Sequence, residues 1–151
     1  MINTRKATNN DIDGILSLQE KNLFANLNEN ELKNGFVTTP FAASQIEEII
    51  KQNGLFVAEN EENKIIAYVF AGSWKYFEQW EIFNFMVSRF AKLSFKGHKI
   101  TKENSFQYGP VCIDKIYRGH GLLNLIFEEM RIKFCKKYPI SITFIQDQCY
   151  L

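Results

Sequence analysis

The residues best placed to do chemistry are Arg118, Gly119, His120 and Gly121, inside the run DKIYRGHGLLNLIFEEM over residues 114–130. The chain has only eight glycines, and two of them fall here, where a β-rich run stops and a helical apolar pattern starts. N–H groups at a helix start lack intrahelical partners and carry the positive end of the helix dipole. Glycine leaves such groups uncovered, and Arg118 adds a positive charge beside them. This is chemistry for holding a phosphate or pyrophosphate. The competing explanation is a turn whose glycines serve tight geometry alone. A Walker loop is excluded because no lysine followed by a hydroxyl residue is present. A dinucleotide fingerprint is excluded because Asn124 stands where its third glycine belongs and the unit lies late in the chain.

A strand, a helix and a second strand must position that turn. FQYGPVCID reads as a strand, and Pro110 marks an edge, a strand start or a bulge because it cannot donate to a ladder. From Leu122 to Tyr138, Leu123, Ile126, Phe127, Met130 and Phe134 form an apolar stripe. Lys133, Lys136 and Lys137 crowd the last turn, where cations suit the dipole, and Pro139 ends the helix. ISITFI alternates as a strand. The order strand, turn, helix, strand gives a βαβ unit with a parallel pair.

Upstream, MINTRKAT reads as a first strand and NNDIDGILSLQEKNLF as a helix with a capping box at Thr8 and Asp11. ANLNENELKNG reads as a loop. Ser44 and Glu47 give a second capping box, and Gly54 supplies a helix stop. LFVAE and KIIAYVFAG, joined by NEEN, form an antiparallel hairpin. Residues 73–105 are unusually aromatic. Tyr76, Trp80, Phe83, Val87 and Phe90 recur at helical spacing, and Phe77, Ile82, Phe85 and Met86 cover the other faces. A helix apolar all round must be covered on several sides. Core packing competes here with a substrate-site wall or a dimer surface.

The composition is that of one folded domain over residues 1–151. The chain is 46% hydrophobic, 23% charged and 15% aromatic, with fourteen phenylalanines. A formal charge of +1 argues against nucleic acid or an acidic membrane as partner. Cys112, Cys135 and Cys149 lack metal-ligand spacing, so no metal site or disulfide framework is expected, and a reduced, cytoplasmic protein is. No signal-peptide pattern and no membrane-length apolar run occurs.

YRGHGLL resembles the acyl-CoA pyrophosphate loop of the GNAT superfamily of N-acetyltransferases, whose motif is [QR]-x-x-G-x-[GA]. Arg118 matches its first position and Gly121 its fourth, while Leu123 departs from the small residue of the sixth. The opening run, the hairpin and the VCID strand follow that family's order, so residues 1–145 fit it with 73–105 as an aromatic-rich helical insertion. The resemblance implies a mixed α/β fold with a mainly antiparallel central sheet flanked by helices, and a parallel βαβ unit carrying the CoA site. It implies acetyl-CoA as co-substrate, a primary amine of a small molecule or peptide as acceptor, and direct attack on the thioester. The main chain of Val111, Cys112 and Ile113 would bond the pantetheine and thioester. The amides of Gly119, His120, Gly121, Leu122 and Leu123 would hold the diphosphate with the Arg118 charge nearby, and a backbone N–H would stabilise the oxyanion.

The acid–base groups are not readable. Asp114 and Glu59 sit near strand ends where a base could lie, but solvated surface carboxylates are the stronger reading for each, and no catalytic base is assigned. Cys112 lacks a histidine partner for a covalent route. His98 lies in the insertion with nothing to pair it. The family adds a further helix and two strands, whereas here IQDQCYL follows the strand, so the domain is expected to be C-terminally short. A short sheet with an exposed edge favours a homodimer. The alternative function is a GNAT-like module that binds CoA, or nothing, without turnover.

Overall fold

A computed structural model describes residues 1–145. Residues 146–151, Cys149 among them, lie outside the described residues. In chain order the elements are β1 (Asn3–Lys6), α1 (Ile12–Asn22), α2 (Glu29–Leu32), α3 (Ala43–Lys51), β2 (Leu55–Glu59), β3 (Ile65–Gly72), α4 (Trp74–Phe77), α5 (Glu81–Ser88), β4 (Ser94–Phe95), β5 (His98–Lys99), β6 (Ser105–Ile113), α6 (Leu122–Phe134) and β7 (Ile140–Ile142). The central sheet has the order β1-β2-β3-β6-β7, antiparallel except for its last pair. β6 and β7 run parallel, with Ser105 opposite Ile140 and Gln107 opposite Ile142, so α6 is the crossover of a βαβ unit.

Every residue of β3 is buried, because helices cover both faces of the sheet. On one face Ile15 and Leu18 of α1, Ile46 and Ile49 of α3, and Trp74, Phe77 and Phe83 pack together. On the other, Leu122, Ile126 and Met130 of α6 meet Phe56, Ile66 and Phe106. The first turn of the chain is fastened electrostatically. Arg5 donates to both oxygens of Asp11 at 2.8 and 2.9 Å and to Glu59 at 2.6 Å, while the Thr8 N–H donates to Asp11 at 2.7 Å.

Several sequence expectations need correction. The expected polar loop contains α2, capped by the Asn28 side chain, which accepts from the N–H groups of Asn30 and Glu31 at 3.0 Å. α3 begins two residues before Ser44's expected role as cap. Ala42 precedes it, and the Gln45 side chain reaches back to the Ala42 N–H at 2.9 Å, so Ser44 and Glu47 lie inside the helix. Beyond the end of α3 at Lys51, Asn53 takes the left-handed position with a φ of 58°, and the Asn53 and Gly54 N–H groups donate to the Ile50 and Ile49 carbonyls. Gly54 serves a different purpose, since a Cβ there would lie 2.1 Å from the Ala71 carbonyl oxygen.

The aromatic segment is two short helices and a two-stranded hairpin, not one continuous helix. Trp80 caps α5 in an extended conformation after α4 has ended. Trp74, Tyr76, Phe77, Phe83 and Phe90 are buried, so core packing accounts for the inner rings. The break lets Phe77 and Phe83 approach at 4.6 Å on the same side of the sheet, whereas residues six apart on an unbroken helix would not share a face. α6 ends at Phe134 and not at Tyr138, and β7 is three residues long. On α6 the buried first-turn residue is Leu122, while Leu123 is 45% exposed and leaves the core stripe. Among the described residues no helix is long and apolar enough to cross a membrane.

Candidate functional site

The site begins where β6 changes from two hydrogen-bonded neighbours to one. Residues 105–107 pair with β7, and beyond them β7 separates from β6. On the other side β6 stays on β3, but Val111 faces Val69 while Tyr108 faces Ala71. Three steps along β6 therefore span two along β3, which places a one-residue bulge at Gly109–Pro110, as Pro110 marks in the sequence. Between the separating strands lies a cavity of about 420 Å³, walled by residues 107–113 on one arm and Thr143, Phe144 and Ile145 on the other.

Val111, Cys112 and Ile113 all line this cavity. Cys112 is buried, and its burial pushes the thiol pKa up to about 12. Its Sγ lies 4.0 Å from the Leu18 carbonyl, with no histidine beside it, so it stays a thiol at neutral pH. Asp114 leaves the strand and caps the turn Lys115–Tyr117, accepting from the Ile116 N–H at 3.3 Å. Glu59 is committed to Arg5 at the opposite side of the sheet. Neither carboxylate lines the cavity. His98 is exposed on the β5 hairpin, and His120 is exposed in the loop.

The loop leads from the strand into α6 through two left-handed glycines. Gly119 and Gly121 each have φ of +78°, and a Cβ on either would meet nothing within 4 Å. Among the described residues, no hydrogen bond takes the amide N–H of Gly119, His120, Gly121, Leu122 or Leu123. Five successive donors are thus free at the start of a thirteen-residue helix, an arrangement suited to several anionic oxygens at once. Leu123 does not shift the helix start, and its side chain joins the cavity wall.

Arg118 departs from the role its charge suggested. Its guanidinium donates to the Ile113 carbonyl at 3.0 Å, the Asn34 carbonyl at 2.6 Å and the Asn22 Oδ1 at 2.8 Å. It ties the loop to the end of α1 and to the segment after α2. That segment is a part of the site that sequence reading missed. Val37 donates to the Asn22 carbonyl and accepts from Phe24, and Gln19 holds both polar groups of the Phe41 backbone. This brings Phe36, Val37, Thr38 and Thr39 onto the cavity. Of the aromatic insertion, only Phe83 reaches the wall, beside Phe144 at 6.1 Å.

Gln107 is the second missed residue. It is buried between Phe106 and Tyr108, a polar side chain in an apolar strand, which is the signal that could have found it. Its Nε2 donates to the Tyr108 carbonyl at 3.0 Å, while its Oε1 has no donor. Among the described residues no group of side chains could hold a metal ion.

No protein-family model matches the chain, and no curated protein matches it in sequence. Solved structures do. AAC(6′)-Iy, in complex with the bisubstrate analogue CoA-S-monomethyl-acetylneamine, superposes with a TM-score of 0.60 at 11% identity, covering 97% of this chain and 81% of that one. The loading GNATL domain of CurA from Lyngbya majuscula gives 0.58 at 15% identity, with coverages of 97% and 67%. The diaminobutyrate acetyltransferase EctA from Paenibacillus lautus, in complex with L-2,4-diaminobutyric acid and coenzyme A, gives 0.58 at 12%, with coverages of 96% and 66%. The chain therefore spans about two thirds of the CurA domain and of EctA. Its fold is that of the GNAT superfamily, with the mixed, mainly antiparallel sheet and parallel closing pair anticipated for it.

Proposed function

We propose that this chain is an acyl-CoA-dependent N-acyltransferase that moves an acetyl group from acetyl-CoA to a primary amine of a small molecule or peptide. The observation that carries the reading is the continuity of three features: the separating β6 and β7, the bulge at Gly109–Pro110, and the five free amides at the start of α6. Two of the superposed structures contain CoA or a CoA analogue.

The residues fit such a co-substrate. The amides of Gly119 to Leu123 would hold the diphosphate, and the open space above both glycines leaves room for it. Arg118 supports this cradle through its three bonds to neighbouring segments. The backbone of Val111, Cys112 and Ile113 lines the groove where an extended amide-bearing arm would lie, bonding to a strand as another strand would. CoA supplies the acyl group as a thioester. A backbone N–H of β6 at the bulge would donate to the carbonyl oxygen as charge develops on it. Cys112, held as a neutral thiol, takes no covalent part, and attack is direct.

The same reading makes the protein a cytoplasmic homodimer. Support for pairing comes from Leu125 and Ile132, each 52% exposed one helical repeat apart on α6. The thiols of Cys112 and Cys135 are free, as a reducing compartment would keep them. Light scattering of the purified protein tests the dimer, and a monomeric mass removes it.

A second reading, a module that binds CoA without turnover, is favoured by one specific fact: among the described residues no carboxylate or histidine lines the cavity. Release of free thiol from acetyl-CoA across a panel of amines separates the two. Turnover supports transfer, whereas CoA binding with no thiol release supports the binding module. Titration calorimetry that detects no CoA binding at millimolar ligand overturns both.

A further inference from the structure

The walls of the cavity say more about the acceptor than about the donor. Its titratable lining groups, among the described residues, are Tyr108, Cys112 and Arg118. Burial pushes the first two up to about 12, so both are neutral near pH 7. Arg118 is cationic and already bonded on three sides by Asn22, Asn34 and Ile113. Among the described residues no lining group can neutralise an incoming ammonium or take its proton, and the Arg118 charge repels it. The remaining walls include Phe36, Phe83 and Phe144.

The geometry also fixes which end of the groove faces the acceptor. The free amides lie beyond Ile113, at the open end. From Ile113 back to Gly109 the strand runs about 13 Å, a rise of roughly 3.3 Å per residue. An extended arm laid along it from the cradle brings its reacting end to the bulge, and the next cavity residues are Tyr108 and Gln107. There the Oε1 is buried without a donor. The amide cannot be turned to spare it, because the carbonyl would then face the Tyr108 carbonyl that Nε2 now bonds.

We infer that the acceptor is a weakly basic amine, such as an arylamine, taken up in its neutral form and oriented by an N–H bond to Gln107 Oε1. The inference rests on the acyl-transfer reading and specifies its substrate class. A neutral amine brings its lone pair directly to the thioester carbonyl. The N–C bond forms, the C–S bond breaks with its electrons on sulfur, and the second proton of the amine passes through water to that sulfur. The products are the amide and the free thiol. An alkylammonium must first lose a proton for which the described residues of the groove offer no receiver. Gln107 is here a positioning residue.

Aniline and cyclohexylamine test this, being alike in size and differing in protonation at pH 7. With acetyl-CoA, kcat/KM for aniline is expected to exceed that for cyclohexylamine at least tenfold at pH 7. The aniline value stays flat to pH 9, while the cyclohexylamine value climbs about tenfold per pH unit with its free-base fraction. Gln107→Leu is expected to raise KM for aniline severalfold while leaving kcat and the CoA dissociation constant unchanged, and that constant also reports that the variant is folded. Gln107→Glu, which places a proton acceptor in the groove, shifts preference toward cyclohexylamine. Faster turnover of cyclohexylamine at pH 7, or CoA bound with neither amine accepted, overturns the inference while the CoA site stands. An unchanged KM in Gln107→Leu removes Gln107 from it. Failure to bind CoA overturns the acyl-transfer reading itself.

Discussion

Gly54 and Gly121 each sit just beyond or just before a helix, and they are glycine for opposite reasons. At Gly54 a Cβ would lie 2.1 Å from the Ala71 carbonyl oxygen and 2.8 Å from Ile49, because β2 enters the sheet directly against β3. At Gly121 a Cβ would meet nothing within 4 Å. Crowding from inside the chain explains the first. The second is left-handed and opens onto empty space above a row of unpaired amides. A glycine demanded by packing belongs to the fold, and one that keeps space clear belongs to whatever enters that space.

Substitution should separate the two. Gly54→Ala is expected to cost about 3 kcal/mol, since a backbone oxygen cannot move aside as a side-chain tip can. Urea denaturation reads the loss, and the folded fraction should bind CoA as the wild type does. Gly121→Glu reverses the pattern. It is expected to weaken CoA binding at least a hundredfold, about 2.7 kcal/mol, by placing like charge in the diphosphate space. Gly121→Ala is the control, because it carries the left-handed strain of about 1 kcal/mol without the carboxylate. Normal binding of CoA by Gly121→Glu would place the site elsewhere.

The same contrast explains what the sequence revealed. The loop was legible because its signal is local: two glycines, an arginine, and a change from strand to helix pattern within a few residues. Pro110 leaves an edge, a strand start or a bulge open, and the register with β3 selects the bulge. The segment Phe36–Thr39 was not legible, because its place on the cavity is set by Gln19, Asn22 and Arg118, the last bonding Asn34 across 84 residues of chain. The aromatic insertion misled in its own way. Helical spacing of large rings fits one long helix, but packing rings on one side of the sheet required a break at Trp80. Gln107 carried a signal, a polar residue in an apolar strand, yet its missing donor is visible only in three dimensions.

Arg118 stands on the boundary between the two classes, and its charge can be tested apart from its bonds. Arg118→Gln is expected to lower stability by about 1–2 kcal/mol as the loop loses its ties to Ile113, Asn34 and Asn22. CoA affinity should fall only severalfold, and its dependence on salt should match the wild type, because screening acts on charges that meet the ligand. A flatter salt dependence in the variant would move Arg118 from the supporting fold into direct contact with the diphosphate.

The smallest effect lies on the fold side, at Arg5, Asp11 and Glu59, far from any ligand. Burial raises the Asp11 pKa, but hydrogen bonds from Arg5 and Thr8 outweigh it and hold the group below its ordinary value. Hydrogen bonds from Arg5, then Asn3, lower Glu59 likewise. A carboxylate whose folded pKa is depressed contributes stability above its unfolded pKa, about 4, and that contribution disappears as pH falls through the folded value. Stability should therefore be insensitive to these groups from pH 8 to 5 and should decline below pH 4. Arg5 is one-third exposed, so the Glu59 share should stay within about 1 kcal/mol. Urea midpoints at pH 7 and pH 3 for wild type and Glu59→Gln provide the check. The variant starts lower and loses less on acidification, because one of the protons taken up has no site left to bind. An equal acid loss in both would show that Arg5 draws its stabilisation from Asp11 alone.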